Sequence, residues 1–231
     1  EAFFTLGAAS VLVAEGPGHC RDSFLVLEES GLAELLSDLK VPFIDLNYSD
    51  CFTIPNAGRF SGLPIFIFPN ELRQVDIIVS IAKMKTHHWV GLTCSMKNLF
   101  GTIPGSFYGW PKNVLHHAGI EQCILDINST LKPHFAIVDG IVGMEGDGPI
   151  MGTPKNVGAL VMGKNLAAVD ATCARIMGIV PEKVGYLAAA SSVIGPIGEA
   201  NISQRGERID SIKTDFALLE HIPALKRLMD S

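Results

Sequence analysis

Six apolar runs constrain the fold of this chain more than any other feature: ASVLVAE (9–15), VPFIDL (41–46), LPIFIF (63–68), VDIIVSIA (75–82), HFAIVDGIVG (134–143) and NVGALVMG (156–163). Each has the length and branched-residue content of a strand. Segments of helical periodicity lie between them. From Asp22 to Lys40, apolar residues at Phe24, Leu27, Leu32, Leu35, Leu36 and Leu39 predict two helices broken at Gly31. Ile120, Ile124, Ile127 and Leu131 mark one stripe of a helix over 116–132. Asn165 is placed to cap LAAVDATCARIMG, which Gly178 closes, and Pro181 opens a helix over EKVGYLAAASS. The last segment, FALLEHIPALKRLMD, reads as helical apart from Pro223. Alternating strands and helices predict an α/β fold: a mostly parallel sheet with helices on both faces, in Rossmann-like layers joined by right-handed crossovers. The prolines flanking LPIFIF suit an edge strand, and the unbroken VDIIVSIA suits a strand covered on both faces.

Without repeats or a flexible linker, residues 1–231 read as one α/β domain, with a two-lobe division near residue 133 as the alternative. The opening EAFFTLGAASVLVAEG resembles the end of a helix running into a strand, so an N-terminal portion of the domain is expected to precede it. The chain is 48% hydrophobic and 18% charged, the balance of a core-rich globular protein. A net charge of −6 with no Lys/Arg block gives a nucleic-acid partner no electrostatic support. No run is long enough to span a bilayer and no signal peptide is visible, so a cytoplasmic protein with no membrane partner is expected, unless an export signal preceded residue 1. Cys20, Cys51, Cys94, Cys123 and Cys173 are scattered, with no CxxC spacing. They read as reduced thiols and offer no local iron–sulfur or zinc framework, so an electron-transfer role would need a separate redox partner.

The chemistry concentrates in KMKTHHWVGLTCSMKNLFGTIPG (83–105), directly after VDIIVSIA. Ligands of open α/β sheets bind beyond the carboxyl ends of strands. Lys83, Lys85 and Thr86 come from the loop there, with His87 placed to exchange protons. Read as a helix, GLTCSMKNLFG buries Leu92, Met96, Leu99 and Phe100 and shows Thr93 and Lys97 on another face, with Asn98 beside them. Lys97 then projects from a rigid element. The set suits a small anion; the alternative is a solvated loop whose histidines bond to backbone. His116 and His117, at the expected start of the 116–132 helix, are offered as ligands to a divalent metal; the alternative is that one caps the helix and the other is solvated. A second polar loop follows HFAIVD. Asp139 at its strand end and Glu145 can hold a cation or act as a base, while Asp147 in GDGP fits turn chemistry. Asp170, inside an apolar helix, must be paired or face a cleft.

KMKTHHWVGLTCSMKNLFGTIPG, IVDGIVGMEGDGPIMGTPKNVGALVMG and AAVDATCARIMGI, with EGPGH near the start, resemble in order and spacing the domain of unknown function 362 family. That resemblance runs over nearly the whole chain and implies little chemistry. Many members carry ferredoxin-like cysteine motifs, which this sequence lacks. More distantly, the order His87, Gly91, Lys97, Pro104-Gly105 and His116 or His117 is similar to that of the nickel-pincer lactate racemase family. This implies Lys97 as anchor of a cofactor, His87 as acid/base, and His116 or His117 as ligand or partner. Cys94, Ser95 and Met96 stand where that family has a glycine pair and an arginine, and only His19 is left to serve as its second catalytic histidine. The expectation carried forward is an enzyme acting on a small anion with or without a divalent metal. A non-catalytic ligand carrier or redox-partner protein is the alternative, and a structural α/β subunit the third reading.

Overall fold

The computed structural model describes residues 1–228. In chain order it begins with α1 (Ala2–Thr5), β1 (Val13–Glu15), α2 (Ser23–Glu29), α3 (Leu32–Asp38), β2 (Phe43–Asp45), β3 (Cys51–Pro55) and β4 (Ile65–Pro69). The middle holds β5 (Val79–His87), β6 (Gly91–Thr93), α4 (Ser95–Asn98), α5 (Gly105–Tyr108), α6 (Asn113–Ala118) and α7 (Ile120–Leu131). It ends with β7 (Phe135–Glu145), β8 (Thr153–Gly163), α8 (Leu166–Ile176), α9 (Gly185–Ala190), α10 (Ile209–Ile212) and α11 (Pro223–Lys226). These elements form two compact, interleaved units: 1–55, 64–75 and 100–117 in the first, and 56–63, 76–99 and the chain from Ala118 in the second.

In the first unit β1 and β2 pair in parallel, with Ala14 opposite Ile44. Parallel neighbours need a long connection, and α2 with α3 supplies it. Asp22 caps α2 by accepting from Phe24 N (2.9 Å) and Leu25 N (3.1 Å), and Gly31, at φ +75°, separates the two helices as its position in the sequence implies. β3 and β4 form an antiparallel pair, and Ile67 N donates to the Tyr108 hydroxyl at 2.9 Å.

The second unit is built on the sheet β6-β5-β7-β8. Only β5 and β7 run parallel there; β6 and β8 are each antiparallel to their neighbour. The expected mostly parallel, Rossmann-like sheet is therefore corrected to a mixed α/β architecture of small sheets. Connection length is the cause. Residues 88–90 join β5 to β6, and 146–152 join β7 to β8. Links that short fold the chain back beside itself, whereas a parallel partner needs a dozen residues or more. β7 also runs past Asp139, its expected end, to Glu145, with a register irregularity between Gly140 and Val142.

Alternation sorts β5 into two faces. Ser80, Ala82, Met84 and Thr86 are buried with Ala136 and Val138 of β7, on the side where α4 and α8 pack. On the other side Ile81 is 60% exposed, and Met162, which follows Ile137 across the same row, is 54% exposed. The expectation that this strand is covered on both faces is corrected: helices lie against one face, and the apolar residues of the other meet solvent. Segment 91–101 is not one helix either. Gly91, at φ +78°, returns the chain as β6, and the helix starts only at Ser95, although Leu92, Met96, Leu99 and Phe100 are all buried as expected.

The C-terminal segment departs from a continuous helix. Thr214 N donates to Ile176 O (2.7 Å) and Phe216 N to Met177 O (2.9 Å), so the chain is held extended by carbonyls that the end of α8 leaves unpaired. Helix appears only at Pro223–Lys226, and the Met229 and Asp230 of the expected helix lie outside the described residues. Asn165 does cap α8, accepting from Ala168 N at 2.9 Å, and Gly178 follows its end at φ +76°.

The two faces of β5 predict opposite responses. Ile81→Thr should change unfolding free energy by less than about 0.5 kcal/mol, while Met84→Ala should lose about 2–5 kcal/mol. Urea denaturation of both variants checks this, and equal losses would mean that the Ile81 face is covered.

Candidate functional site

The side chain that organises this region is Asp170, on α8 and fully buried. It accepts from Ser95 N (2.8 Å), Ser95 Oγ (2.5 Å) and Met96 N (3.0 Å), and so caps the start of α4 from a neighbouring helix. Burial pushes its pKa up to about 6, while these three donors hold the rise back. At neutral pH it is a carboxylate. Asn128 Nδ2 donates to Met96 O at 3.0 Å, and Asn98 Nδ2 donates to Ser80 Oγ (3.2 Å) and Ile81 O (3.1 Å). The short helix that carries Lys97 is thus tied to α8, α7 and β5. The paired fate of Asp170 agrees with its setting in the sequence.

Lys85 and Thr93 face each other directly across β5 and β6. The Thr93 Oγ1 is buried and has no hydrogen-bond partner among the described residues. Lys97 is half-buried and close enough to Lys85 to feel its charge. Burial first, and Lys85 second, push the Lys97 pKa down to about 8. The Lys85 Nζ donates to Pro149 O at 3.3 Å, so the loop from β7 reaches the same strand end. Gly148 makes that approach feasible: a Cβ there would lie 2.1 Å from Thr86 O. His88 N donates to Gly148 O at 3.0 Å, and His88 Nδ1 is 3.5 Å from Asp147 Oδ1. The two polar loops therefore do converge.

Other residues singled out in the sequence are engaged differently. Lys83 and Asp139 form an ion pair at 2.6 Å across β5 and β7. Partial burial opposes the Asp139 charge, but Lys83 and the Ile141 N–H outweigh it and hold its pKa below the ordinary carboxylate value. Glu145 pairs with Lys155 at 3.1 Å and accepts from Ala217 N at 2.8 Å. Thr86 is on the helix-covered face and donates to Gly146 O at 2.9 Å. Asn98 is used in holding α4. His87 is buried, and its Nδ1 accepts from Trp89 N at 3.1 Å, which fixes an unprotonated Nδ1.

His116 and His117 belong to the first unit and occupy the last turn of α6, not a helix start, because α7 begins separately at Ile120. The His116 Nδ1 is 3.0 Å from Lys112 O. Among the described residues no group of three or more His, Cys, Asp or Glu side chains comes together as metal ligands would.

Two buried side chains of equal structural weight escaped the sequence reading. Asp126, fully buried on α7, accepts from Asn56 Nδ2 (2.7 Å), Phe60 N (2.8 Å), Ser61 N (2.9 Å) and Ser61 Oγ (2.5 Å). Its signal was the one used for Asp170, a lone carboxylate on an apolar helix. In the first unit Lys112 is 3% exposed and donates to Asn47 Oδ1 (2.6 Å) and Ile103 O. Burial pushes its pKa down to about 8 against the opposing pull of Glu15 and Asp45.

The family model described as Domain of unknown function (DUF362) matches residues 2–175, and the chain belongs to that family. The chain is also 27% identical over 169 residues to the "Thylakoid-associated protein sll1697" of Synechocystis sp. (strain ATCC 27184 / PCC 6803 / Kazusa), covering 71% of this chain and 50% of that protein. The chain thus spans about half the length of that relative. No solved structure matches. No helix of the described residues is long and apolar enough to cross a membrane.

Removing the α4 cap should be costly. Asp170→Ala leaves two N–H groups and one hydroxyl without their acceptor. A loss of about 3 kcal/mol in urea denaturation is expected; a loss below about 1 kcal/mol would show that α4 stands without it.

Proposed function

We propose that this DUF362 protein binds a small anionic metabolite, a carboxylate or phosphate, through Lys85, Lys97 and the Thr93 hydroxyl in its second unit. The observation that carries the reading is Lys97 held on a rigid frame near Lys85, where burial first and the Lys85 charge second lower its pKa to about 8. An anion between them relieves their repulsion and stabilises both charges. Lys83 is left out of the binding set because Asp139 already neutralises it. The wider reading is an enzyme in the aqueous phase of the cytoplasm, with no nucleic-acid or membrane partner.

A second reading, a non-catalytic ligand carrier, is favoured by the state of the acid and base candidates. Asp139 and Glu145 are ion-paired, and the His87 Nδ1 is taken by a backbone N–H. Turnover separates the two readings; binding alone does not. The relative's thylakoid association is a statement about that protein, and for this chain it adds only the question of where the ligand is met.

Calorimetric titration with phosphate and with small carboxylates tests the binding. Lys85→Met should weaken affinity about 10–100-fold, the value of one charge-assisted hydrogen bond. Lys97 is charged below its pKa and neutral above it, so affinity should fall as pH rises through about 8. Lys97→Met should weaken binding and flatten that pH profile. Affinity unchanged in both variants would overturn the assignment.

A further inference from the structure

We infer that the open face of the sheet formed by β5, β7 and β8 is a self-association surface, on which a second copy of this chain packs face to face about a two-fold axis. The inference lies within the second unit and is independent of the anion site.

The face is built by register. Across β5 and β7, Val79 lies opposite Phe135, Ile81 opposite Ile137 and Lys83 opposite Asp139, and β8 continues the last two rows with Met162 and Leu160. Alternation turns these side chains away from the side on which α4 and α8 pack. Ile81, Leu160 and Met162 are more than half exposed, and so is Ile77, two residues before Val79. These side chains, with the half-buried ones between them, leave on the order of 500 Å² of apolar surface open, the upper range for the largest patch of a monomer. Two such faces together would remove roughly 1,000 Å² from water, the threshold of a specific interface. An association of that size is reversed by dilution, so Ile81 stays open in the dilute samples of a denaturation experiment.

Charge decides the occupant. The Lys83–Asp139 ion pair sits at one end of the apolar rows on β5 and β7, with its side chains 45% and 35% exposed. One cation and one anion give the patch no net charge, so neither a nucleic acid nor an anionic lipid surface is attracted to it. A purely apolar partner would strip water from the ion pair and return nothing. A second copy covers the apolar rows and supplies charge as well. With the two-fold axis along the strands, midway between β5 and β7, Lys83 of each copy lies over Asp139 of the other, and Ile81 over Ile137. The two ion pairs then close into one ring of alternating charge, and the sheets stack about 10 Å apart with their strands aligned.

Sedimentation velocity of the full chain from about 1 to about 200 μM tests this. The average mass should rise from monomer toward dimer across that range. Ile81→Asp should weaken association at least about tenfold. Lys83→Asp gives a face with two carboxylates and Asp139→Lys a face with two ammonium groups, so each alone should self-associate about tenfold more weakly. An equimolar mixture of those two variants should associate as tightly as the parent chain, because each copy supplies the charge that the other lacks. Circular dichroism checks that every variant folds, and if a charge variant does not, Ile81→Asp decides alone. A chain that stays monomeric throughout overturns the inference and leaves the face to another occupant. A dimer that Ile81→Asp does not weaken, or a mixture no tighter than its components, overturns it as well.

Discussion

One buried carboxylate sets the geometry on which the rest of the second unit depends. Asp170 would be expensive to bury alone. Its two oxygens instead take the leading N–H groups and the hydroxyl of α4, so the place where that helix begins is decided by α8. Asp126 does the same for the loop over 56–63, with four donors and a glycine, Gly58, whose added Cβ would fall 2.3 Å from the carboxylate. In both cases an acidic residue on an apolar helix acts as an acceptor for backbone that local hydrogen bonding leaves unsatisfied.

The same frame distributes charge. Cross-strand register brings Asp139 to Lys83, and the loop after β7 brings Asp147 to His88. Carboxylates thereby reach the cationic segment at Lys83 and His88. An exposed ion pair such as Lys83–Asp139 contributes little stability. Its consequence is local: it neutralises Lys83 where β5 meets β7.

The open row in which exposed Ile81 and Met162 flank half-buried Ile137 has a related origin. With both β6 and β8 returning through short links, the long connection between β5 and β7 and the chain after β8 supply the helices, and α4 and α8 both pack on one face. A doubly covered sheet needs long crossovers on both sides.

Local signals in the chain were sufficient for whatever is decided within a few residues. The apolar runs became strands, Asp22 and Asn165 capped their helices, and Gly31 and Gly178 ended or divided them. The buried stripe Leu92, Met96, Leu99 and Phe100 and the need of Asp170 for partners were equally legible. Direction of strand pairing, the uncovered face of β5 and the true start of α4 were not. Nor could the sequence tell which lysine would meet a carboxylate. Those outcomes rest on partners 56 residues apart for Lys83 and Asp139 and 75 apart for Ser95 and Asp170. A pattern read along the chain carries side-chain spacing but not which distant element packs beside it. Only the tertiary structure brings those partners within hydrogen-bonding distance, and with that it decides which groups remain for chemistry.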